Sequence, residues 1–200
     1  MKIIFNQSIF ISIVIFLSFG CTVSEITQKT KDGFVKSKSY LTEKSKFAKT
    51  MQMITPFTDE YFMKQAYLEA KKAFDQDEVP VGAVIVVNNQ IIARAHNLTE
   101  KLHDVTAHAE VQAITAASEY LGAKYLTNCT MYVTLEPCQM CAGALYWSQI
   151  SRVVFGASDE KRGYRTMGTT LHPSTEVTQG VFAKESADLL TQFFHLKRLQ

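Results

Sequence analysis

The 200-residue sequence has few cysteines, no internal repeat and no apolar run long enough to span a membrane. Its four cysteines stand at positions 21, 129, 138 and 141, so two form a Cys-x-x-Cys pair and two are isolated. This spacing excludes a disulfide framework and favours a reducing compartment. With 46% apolar and 20% charged residues, the composition excludes a fibrous or wholly disordered chain and fits one globular domain with a sizeable core.

The sequence also lacks a strong net charge, since its formal net charge is only +2. Residues 1–52 contain eight lysines and three acidic residues, a balance of +5, whereas residues 53–200 contain thirteen Lys or Arg and sixteen acidic residues, a balance of −3. The longer segment is therefore mildly acidic. Any nucleic-acid binding must rely on a local basic patch, because the overall field does not attract a polyanion.

Residues 1–52 differ in composition from the rest and are predicted to be a signal-like, disordered extension. Lys2 precedes an eleven-residue apolar run, residues 9–19, which suits a secretory signal, and the Gly-Cys pair after it resembles a lipoprotein cleavage site. Residues 22–50 are rich in Lys, Ser and Thr, which indicates disorder. The interpretation that we favour is a misplaced translation start upstream of Met51 or Met53, since an exported dithiol risks oxidation before it binds metal.

From Thr58 onward the hydrophobic periodicity predicts alternating helices and strands. The predicted helices are one that begins at Thr58 or Asp59, residues 107–121 ended by Gly122, one with Pro137 at its first position, and residues 183–198. The predicted strands are residues 79–87, 90–96, 131–135 and 152–156, the first two joined by an Asn-Asn hairpin turn. Residues 97–106 are predicted to be a polar loop, and no element is predicted for residues 157–180. This order predicts one layered α/β domain over residues 53–200.

Two of these helices have a predicted apolar face. Phe62, Met63, Ala66, Ala70 and Phe74, with Leu68 fitting weakly, recur at helical spacing in the first; Val111, Ile114, Ala117 and Leu121 do so in the second.

Two short motifs carry the chemistry. His108-Ala109-Glu110 and Cys138-Gln139-Met140-Cys141 offer one imidazole, two thiolates and one carboxylate. A catalytic Zn²⁺ takes three protein ligands, such as His with two Cys, and leaves its fourth position to water. Glu110 then remains as the acceptor and carrier of a proton from that water. A redox pair or a structural zinc clip is the alternative, but a clip needs a fourth Cys or His.

The same motifs resemble those of the zinc-dependent nucleobase deaminases, and most of all the bacterial tRNA adenosine deaminases, over residues 57–198. The segments that carry the similarity are residues 79–84, 106–110, 132–144, 152–157 and the Phe193-Phe194 pair. The resemblance implies a three-layer α/β/α cytidine-deaminase-like domain with a central mixed sheet. It also implies one Zn²⁺ per chain, held by His108, Cys138 and Cys141, with a bound water or hydroxide, and Glu110 as the catalytic proton carrier.

The resemblance further implies a substrate and partners. The expected reaction is hydrolytic deamination of adenosine to inosine at the wobble position of a tRNA anticodon stem-loop, by a cytoplasmic homodimer without a stable membrane partner unless residues 1–21 are a genuine signal. The residues expected to contact the substrate are Asn97, Val81, Ala109, Asp159, Phe193 and Phe194. Phe193 is also suited to a place in the hydrophobic core. Tyr146 and Trp147 are expected to lie either in the core or at a dimer contact.

Two other functions fit parts of the sequence. Gln139 departs from the residue usual in the tRNA enzymes, and residues 144–147 also resemble guanine deaminase, so a free-base deaminase of the same fold is the first alternative. Against it stand the loop that contains Asp159 and the Phe-Phe basic tail. The second alternative is a non-catalytic zinc-binding or RNA-binding module, which a complete ligand set with Glu110 argues against.

Overall fold

The computed structural model describes residues 55–199, so the predictions for residues 1–52 lie outside the described residues. Five helices and five strands follow one another in this part of the chain. In order they are α1 (Asp59–Asp75), β1 (Gly82–Val87), β2 (Gln90–His96), α2 (Thr99–Leu102), α3 (Ala109–Leu121), β3 (Thr130–Leu135), α4 (Gln139–Ser148), β4 (Arg152–Ala157), β5 (Glu176–Gln179) and α5 (Ala183–Lys197).

The strands form one mixed sheet in the order β2-β1-β3-β4-β5. β1 is antiparallel to both β2 and β3, whereas β3, β4 and β5 run parallel. Asn88 and Asn89 link β1 to β2 with positive φ angles of 49° and 61°, the conformation of a tight hairpin turn, so the predicted hairpin is confirmed. Because β3 and β4 are parallel, the loops that follow Leu135 and Ala157 leave the same edge of the sheet.

Helices cover both faces of the sheet, which confirms the predicted three-layer α/β/α architecture. One apolar cluster joins α1 to Val84, Val86, Tyr132 and Val154 of the sheet. The other joins α3 and α4 to the opposite face, where Ile85, Met131, Val133, Val153 and Phe155 point. Burial of these two apolar layers is the main favourable term in folding.

α1 begins where the sequence predicts. Thr58 is its N-cap, and the Thr58 hydroxyl accepts the amide proton of Tyr61 at 3.3 Å. Phe62, Met63, Ala66 and Ala70 are buried as predicted, but Leu68 is exposed and Phe74 is half-buried.

α3 matches the predicted buried face at Ala117 but not at its other positions. Ala109, Ala113 and Ala117 are completely buried, whereas Val111 and Ile114 are half-buried and Leu121 is exposed. Three alanines along one face let the helix axis lie close to the sheet, which leaves the larger side chains at the edges of the contact. Gly122 ends the helix with φ of 60°, as predicted.

Two helices start later than predicted, and two elements were missed. α3 begins at Ala109, since His108 is extended, and α4 begins at Gln139, so Pro137 precedes the N-cap Cys138. The structure adds α2 in the predicted loop 97–106 and β5 in residues 157–180. Both are four residues long, and β5 is an exposed edge strand without apolar alternation. Within residues 55–199, no helix combines the length and the apolar character needed to cross a bilayer.

Candidate metal centre and substrate cavity

Two helix N-termini converge at the edge of the sheet where β3 ends. His108 is the N-cap residue of α3, Cys138 is the N-cap residue of α4, and Cys141 lies in the first turn of α4. The positive end of the α4 dipole and the free amide groups of its first turn stabilise thiolate over thiol. The fold therefore presents both cysteine side chains at a helix end that favours the thiolate form, which is the form that binds metal.

The three side chains have the spacing of a tetrahedral metal site. Nδ1 of His108 lies 3.6 Å from Sγ of Cys138 and 3.4 Å from Sγ of Cys141. Zinc bonds of about 2.1 Å to nitrogen and 2.3 Å to sulfur at a tetrahedral angle place these atoms about 3.6 Å apart. The donor set therefore fits Zn²⁺. Within residues 55–199 no fourth His, Cys, Asp or Glu joins this group, which leaves one coordination position for water or substrate.

The ionisation of the ligands agrees with this role. A hydrogen bond from the Cys141 thiol, supported by His108, lowers the pKa of Cys138 to about 4. The same bond, together with burial, raises the pKa of Cys141. The hydrogen bond to Cys138 raises the pKa of His108. One thiolate is thus already stabilised, and a cation at the centre of the three atoms favours the second.

Glu110 lies in the first turn of α3, two residues after His108, and its side chain is buried. Burial raises the pKa of Glu110 above its ordinary value, because the charged carboxylate is removed from water. Glu110 is not part of the ligand group but lines the same cavity as His108 and Cys138. A buried carboxyl with a raised pKa beside an open metal position is suited to accept and return a proton.

A cavity of about 470 Å³ opens above these residues. The side chains of four predicted substrate-contact residues line it together with the metal ligands and Glu110; they are Val81, Asn97, Asp159 and Phe194. The walls also include Val79, Thr99, Leu135, Glu136, Lys161, Arg162 and Leu190. A space of this size admits a single nucleobase with its sugar.

The other two predicted contact residues lie elsewhere. Ala109 is fully buried behind the cavity, and its amide donates to Oδ1 of Asn97 at 3.2 Å, which fixes the orientation of the Asn97 side chain. Phe193 is buried against Phe74, with ring centroids 5.8 Å apart, and lines a neighbouring cavity of about 690 Å³ that also includes Phe194. Phe193 therefore belongs to the core of α5, the other reading that the sequence left open.

Sequence reasoning missed the carboxylates that hold the cavity walls. Glu78 is fully buried and accepts the amide protons of Glu100 and Lys101 and the hydroxyl proton of Thr99, so it caps α2 directly after Asn97. Glu136 is equally buried at the end of β3. An acidic residue adjoining a strongly apolar strand was the available signal, since such a residue is buried only when it is paired.

A Cys₂His donor set with an open position, a buried carboxyl beside it and a nucleobase-sized cavity on a mixed sheet define a zinc-dependent hydrolase. Comparison with known families agrees. The cytidine and deoxycytidylate deaminase zinc-binding region matches residues 56–157. The chain belongs to this deaminase family, and zinc is its metal.

Individual relatives are similar over nearly their whole length. The tRNA-specific adenosine deaminase of Agrobacterium fabrum is 46% identical over 145 residues, which cover 70% of this chain and 95% of the relative. The tRNA-specific adenosine deaminase of Bacillus subtilis is 47% identical over 144 residues, covering 68% and 88%. A solved structure from work on A-to-I editing by tRNA:A34 deaminases is 44% identical, covers 64% of this chain and 98% of its own, and has a TM-score of 0.61.

Proposed function

We propose that this protein hydrolytically deaminates adenosine to inosine at the wobble position of a tRNA anticodon. The observation that carries the proposal is the single cavity in which His108, Cys138 and Glu110 face Asn97 and Asp159. The similarity to tRNA-specific adenosine deaminases supports the choice of substrate. When bound, Zn²⁺ supplies the acidity that makes hydroxide available from water near neutral pH.

The chain's own residues hold the base and move the protons. Glu110 takes one proton from the attacking water and passes it to N1 of adenine while the oxygen bonds to C6. It then takes the remaining proton of that oxygen and gives it to the amine, so the C6–N bond breaks, ammonia departs and the C6 oxygen becomes the carbonyl of inosine. Asn97 hydrogen-bonds the flipped nucleotide in this proposal, and the bond from the Ala109 amide that orients its side chain supports that role. Val81 supplies an apolar wall for the base.

The mouth of the cavity supports an RNA substrate. Phe194 is 44% exposed at the rim and offers a ring on which a base can stack. Lys161 and Arg162 line the same cavity and are exposed, so they offer cations to the strand that carries the target. These few groups form the local patch that an otherwise acidic domain needs to bind RNA.

The position of the edited base tests the proposal. Anticodon stem-loops with adenosine at the wobble position are compared with stem-loops in which that adenosine is guanosine and the next anticodon base is adenosine. We expect inosine, measured by mass spectrometry of the digested RNA, in the first set and none in the second. Equal inosine at both positions would contradict the wobble assignment.

We also propose a cytoplasmic homodimer. The thiolates of Cys138 and Cys141 require a reducing compartment, and the tRNA substrate is present there.

Met140 and Trp147 lie seven residues apart on one face of α4, and Trp147 is 77% exposed, so it is not the core residue that the sequence also allowed. A second copy is the occupant that we assign to this apolar face. Trp147→Glu should yield monomers by sedimentation velocity; an unchanged dimer, or a monomeric parent protein, would refute the assignment.

A further inference from the structure

Glu136 binds a loop to the edge of the sheet, beside the metal ligands. It stands two residues before Cys138, and its side chain is only 2% exposed. The loop, residues 158–167, follows β4 and carries Asp159, Lys161 and Arg162 to the cavity. We call it the mouth loop.

Four hydrogen bonds from the mouth loop end on this one carboxylate. Oε2 of Glu136 accepts from the Asp159 amide at 3.1 Å and from Nη2 of Arg165 at 2.8 Å. Oε1 accepts from Nε of Arg165 at 3.0 Å and from the Arg165 amide at 3.3 Å. The guanidinium thus holds the carboxylate with two parallel bonds, which fix direction as well as distance.

The backbone of the mouth loop also packs closely against the Glu136 carboxylate and the segment that follows it. Gly163 forms a β-bridge with Cys138, and the Tyr164 amide donates to the carbonyl oxygen of Pro137 at 2.9 Å. A Cβ atom at position 163 would lie 2.5 Å from Cδ of Glu136, so only glycine permits this approach. The mouth loop and the loop that carries Cys138 are therefore packed as one unit.

Arg165 makes further contacts that anchor it. Its guanidinium donates to Gln179 of β5 and to the Ser158 hydroxyl, and lies over the Phe155 ring at 5.1 Å. From the other end of the mouth loop, the Asp159 carboxylate accepts the amide protons of Lys161 and Arg162 at 3.0 Å and 2.9 Å. Glu136 therefore helps to fix the positions of Lys161 and Arg162 at the cavity mouth through Asp159.

We propose that Glu136 and Arg165 are a positioning pair that holds the mouth loop in its substrate-receiving form. Within residues 55–199 their side chains form no hydrogen bond or ion pair with Glu110 or with the donor atoms of the metal ligands, and the side-chain bonds of Glu136 end on the mouth loop, so we expect the pair to affect binding of the strand and not the chemical step. A loop that is already ordered spares the substrate the entropy cost of ordering it. This inference rests on the proposed deamination of a tRNA stem-loop.

The variant Arg165→Ala separates an effect on substrate binding from an effect on the chemical step. We expect KM for the stem-loop to rise about tenfold, the cost of ordering one or two side chains on binding, while kcat stays within about threefold. Arg165→Lys keeps the charge but loses the paired bonds, so its KM should fall between those of the parent and Arg165→Ala. Zinc content should remain one per chain in both variants.

Arg94→Ala is the matched control. Arg94 is also 43% exposed and also lies near a buried glutamate, Glu69, but on β2 away from the cavity lining. We expect its KM and kcat to equal those of the parent. A merely structural role for Arg165 would instead lower kcat, zinc content and thermal stability together, and that result would overturn the inference.

Limited trypsin digestion tests whether the mouth loop is ordered, and it does not depend on deaminase activity. Cleavage after Lys161 and Arg162, followed by mass spectrometry on the full chain, should accelerate about tenfold in Arg165→Ala and not in Arg94→Ala. Unchanged cleavage in Arg165→Ala would contradict the positioning role even if the protein deaminates RNA. Faster cleavage in a protein that leaves the stem-loop unedited would instead contradict the proposed substrate.

Discussion

At the scale of single residues, the proposed mechanism gives metal binding to His108, Cys138 and Cys141 and proton transfer to Glu110. The three ligands have the mutual distances of a zinc tetrahedron, and Glu110 lies outside that group but inside the same cavity. The His-x-Glu spacing achieves this because His108 is extended and Glu110 is already helical. One short motif thus supplies a metal ligand and the carboxyl that we propose as proton carrier.

Replacing Glu110 tests this division. We expect Glu110→Gln to retain about one zinc per chain, because the ligands are untouched, and to lose at least about 10³-fold in turnover, since a carboxamide cannot accept the proton. Metal analysis and ammonia release measure the two quantities. His108→Ala is the comparison and should lose zinc as well as activity. Zinc loss in Glu110→Gln would show that Glu110 is a ligand.

The proton-carrying role of Glu110 stays a prediction, but the sequence was sufficient to predict the metal-ligand group of His108, Cys138 and Cys141, because the types and spacing of these residues are set by metal chemistry. It was not sufficient for Glu136 and Arg165, which are 29 residues apart and meet only because β3 and β4 are parallel neighbours. Nor did it distinguish Phe193 from Phe194. Phe193 packs against Phe74, whereas Phe194 lines the cavity that contains the metal ligands, and that choice depends on how α5 is rotated about its axis.

At the scale of elements, an ion pair fastens the start of α1 to the sheet. Asp59, the first residue of α1, accepts two bonds of 2.7 Å from the guanidinium of Arg152 on β4 and one of 2.9 Å from the Tyr132 hydroxyl on β3. The hydrogen bond from Arg152 is the main cause of a lowered pKa for Asp59, and partial burial opposes it. α1 is therefore held at its N-terminus by charge and along its length by apolar contacts.

This contact should make stability depend on pH. Above about pH 3.9, the ordinary pKa of Asp, the carboxylate is charged in both the folded and the unfolded chain, so the contribution is fully present. As the pH falls below that value, the unfolded chain takes up a proton first, and the contribution is lost as the pH reaches the lowered pKa of the folded state.

Asp59→Asn measures the contribution. We expect it to lower the free energy of unfolding by about 1–2 kcal/mol at pH 7 and to change it little once the pH is below the folded pKa of Asp59. Urea titrations at several pH values give the difference. A difference that does not shrink in acid would mean that helix capping, and not the ion pair with Arg152, accounts for the effect.

Some helices, strands and turns can be predicted from neighbouring residues in the sequence, whereas others depend on tertiary contacts. The N-cap at Thr58 and the hairpin at Asn88 and Asn89 were predictable because each depends on neighbouring residues alone. The buried alanine face of α3 was not, since alanine gives a weak apolar signal and the close packing belongs to the sheet opposite. The polar edge strand β5 pairs only because β4 is beside it.

At the scale of the whole molecule, all the site residues among the described positions lie in one domain. The ligands, Glu110 and the cavity walls all lie between residues 79 and 194. We therefore expect a protein of residues 53–200 to bind one zinc and to edit the stem-loop at a rate within about twofold of the full chain. Loss of activity or of solubility on truncation would contradict the proposed domain boundary.

The central claim is that the cavity deaminates adenosine in RNA and not a free base. The most direct measurement supplies one purified preparation with a wobble-adenosine stem-loop and, separately, with guanine and adenine, and follows ammonia release. We expect turnover of the stem-loop, salt-dependent because Lys161 and Arg162 meet phosphates, and no turnover of the free bases. Ammonia from guanine with an untouched stem-loop would contradict the account.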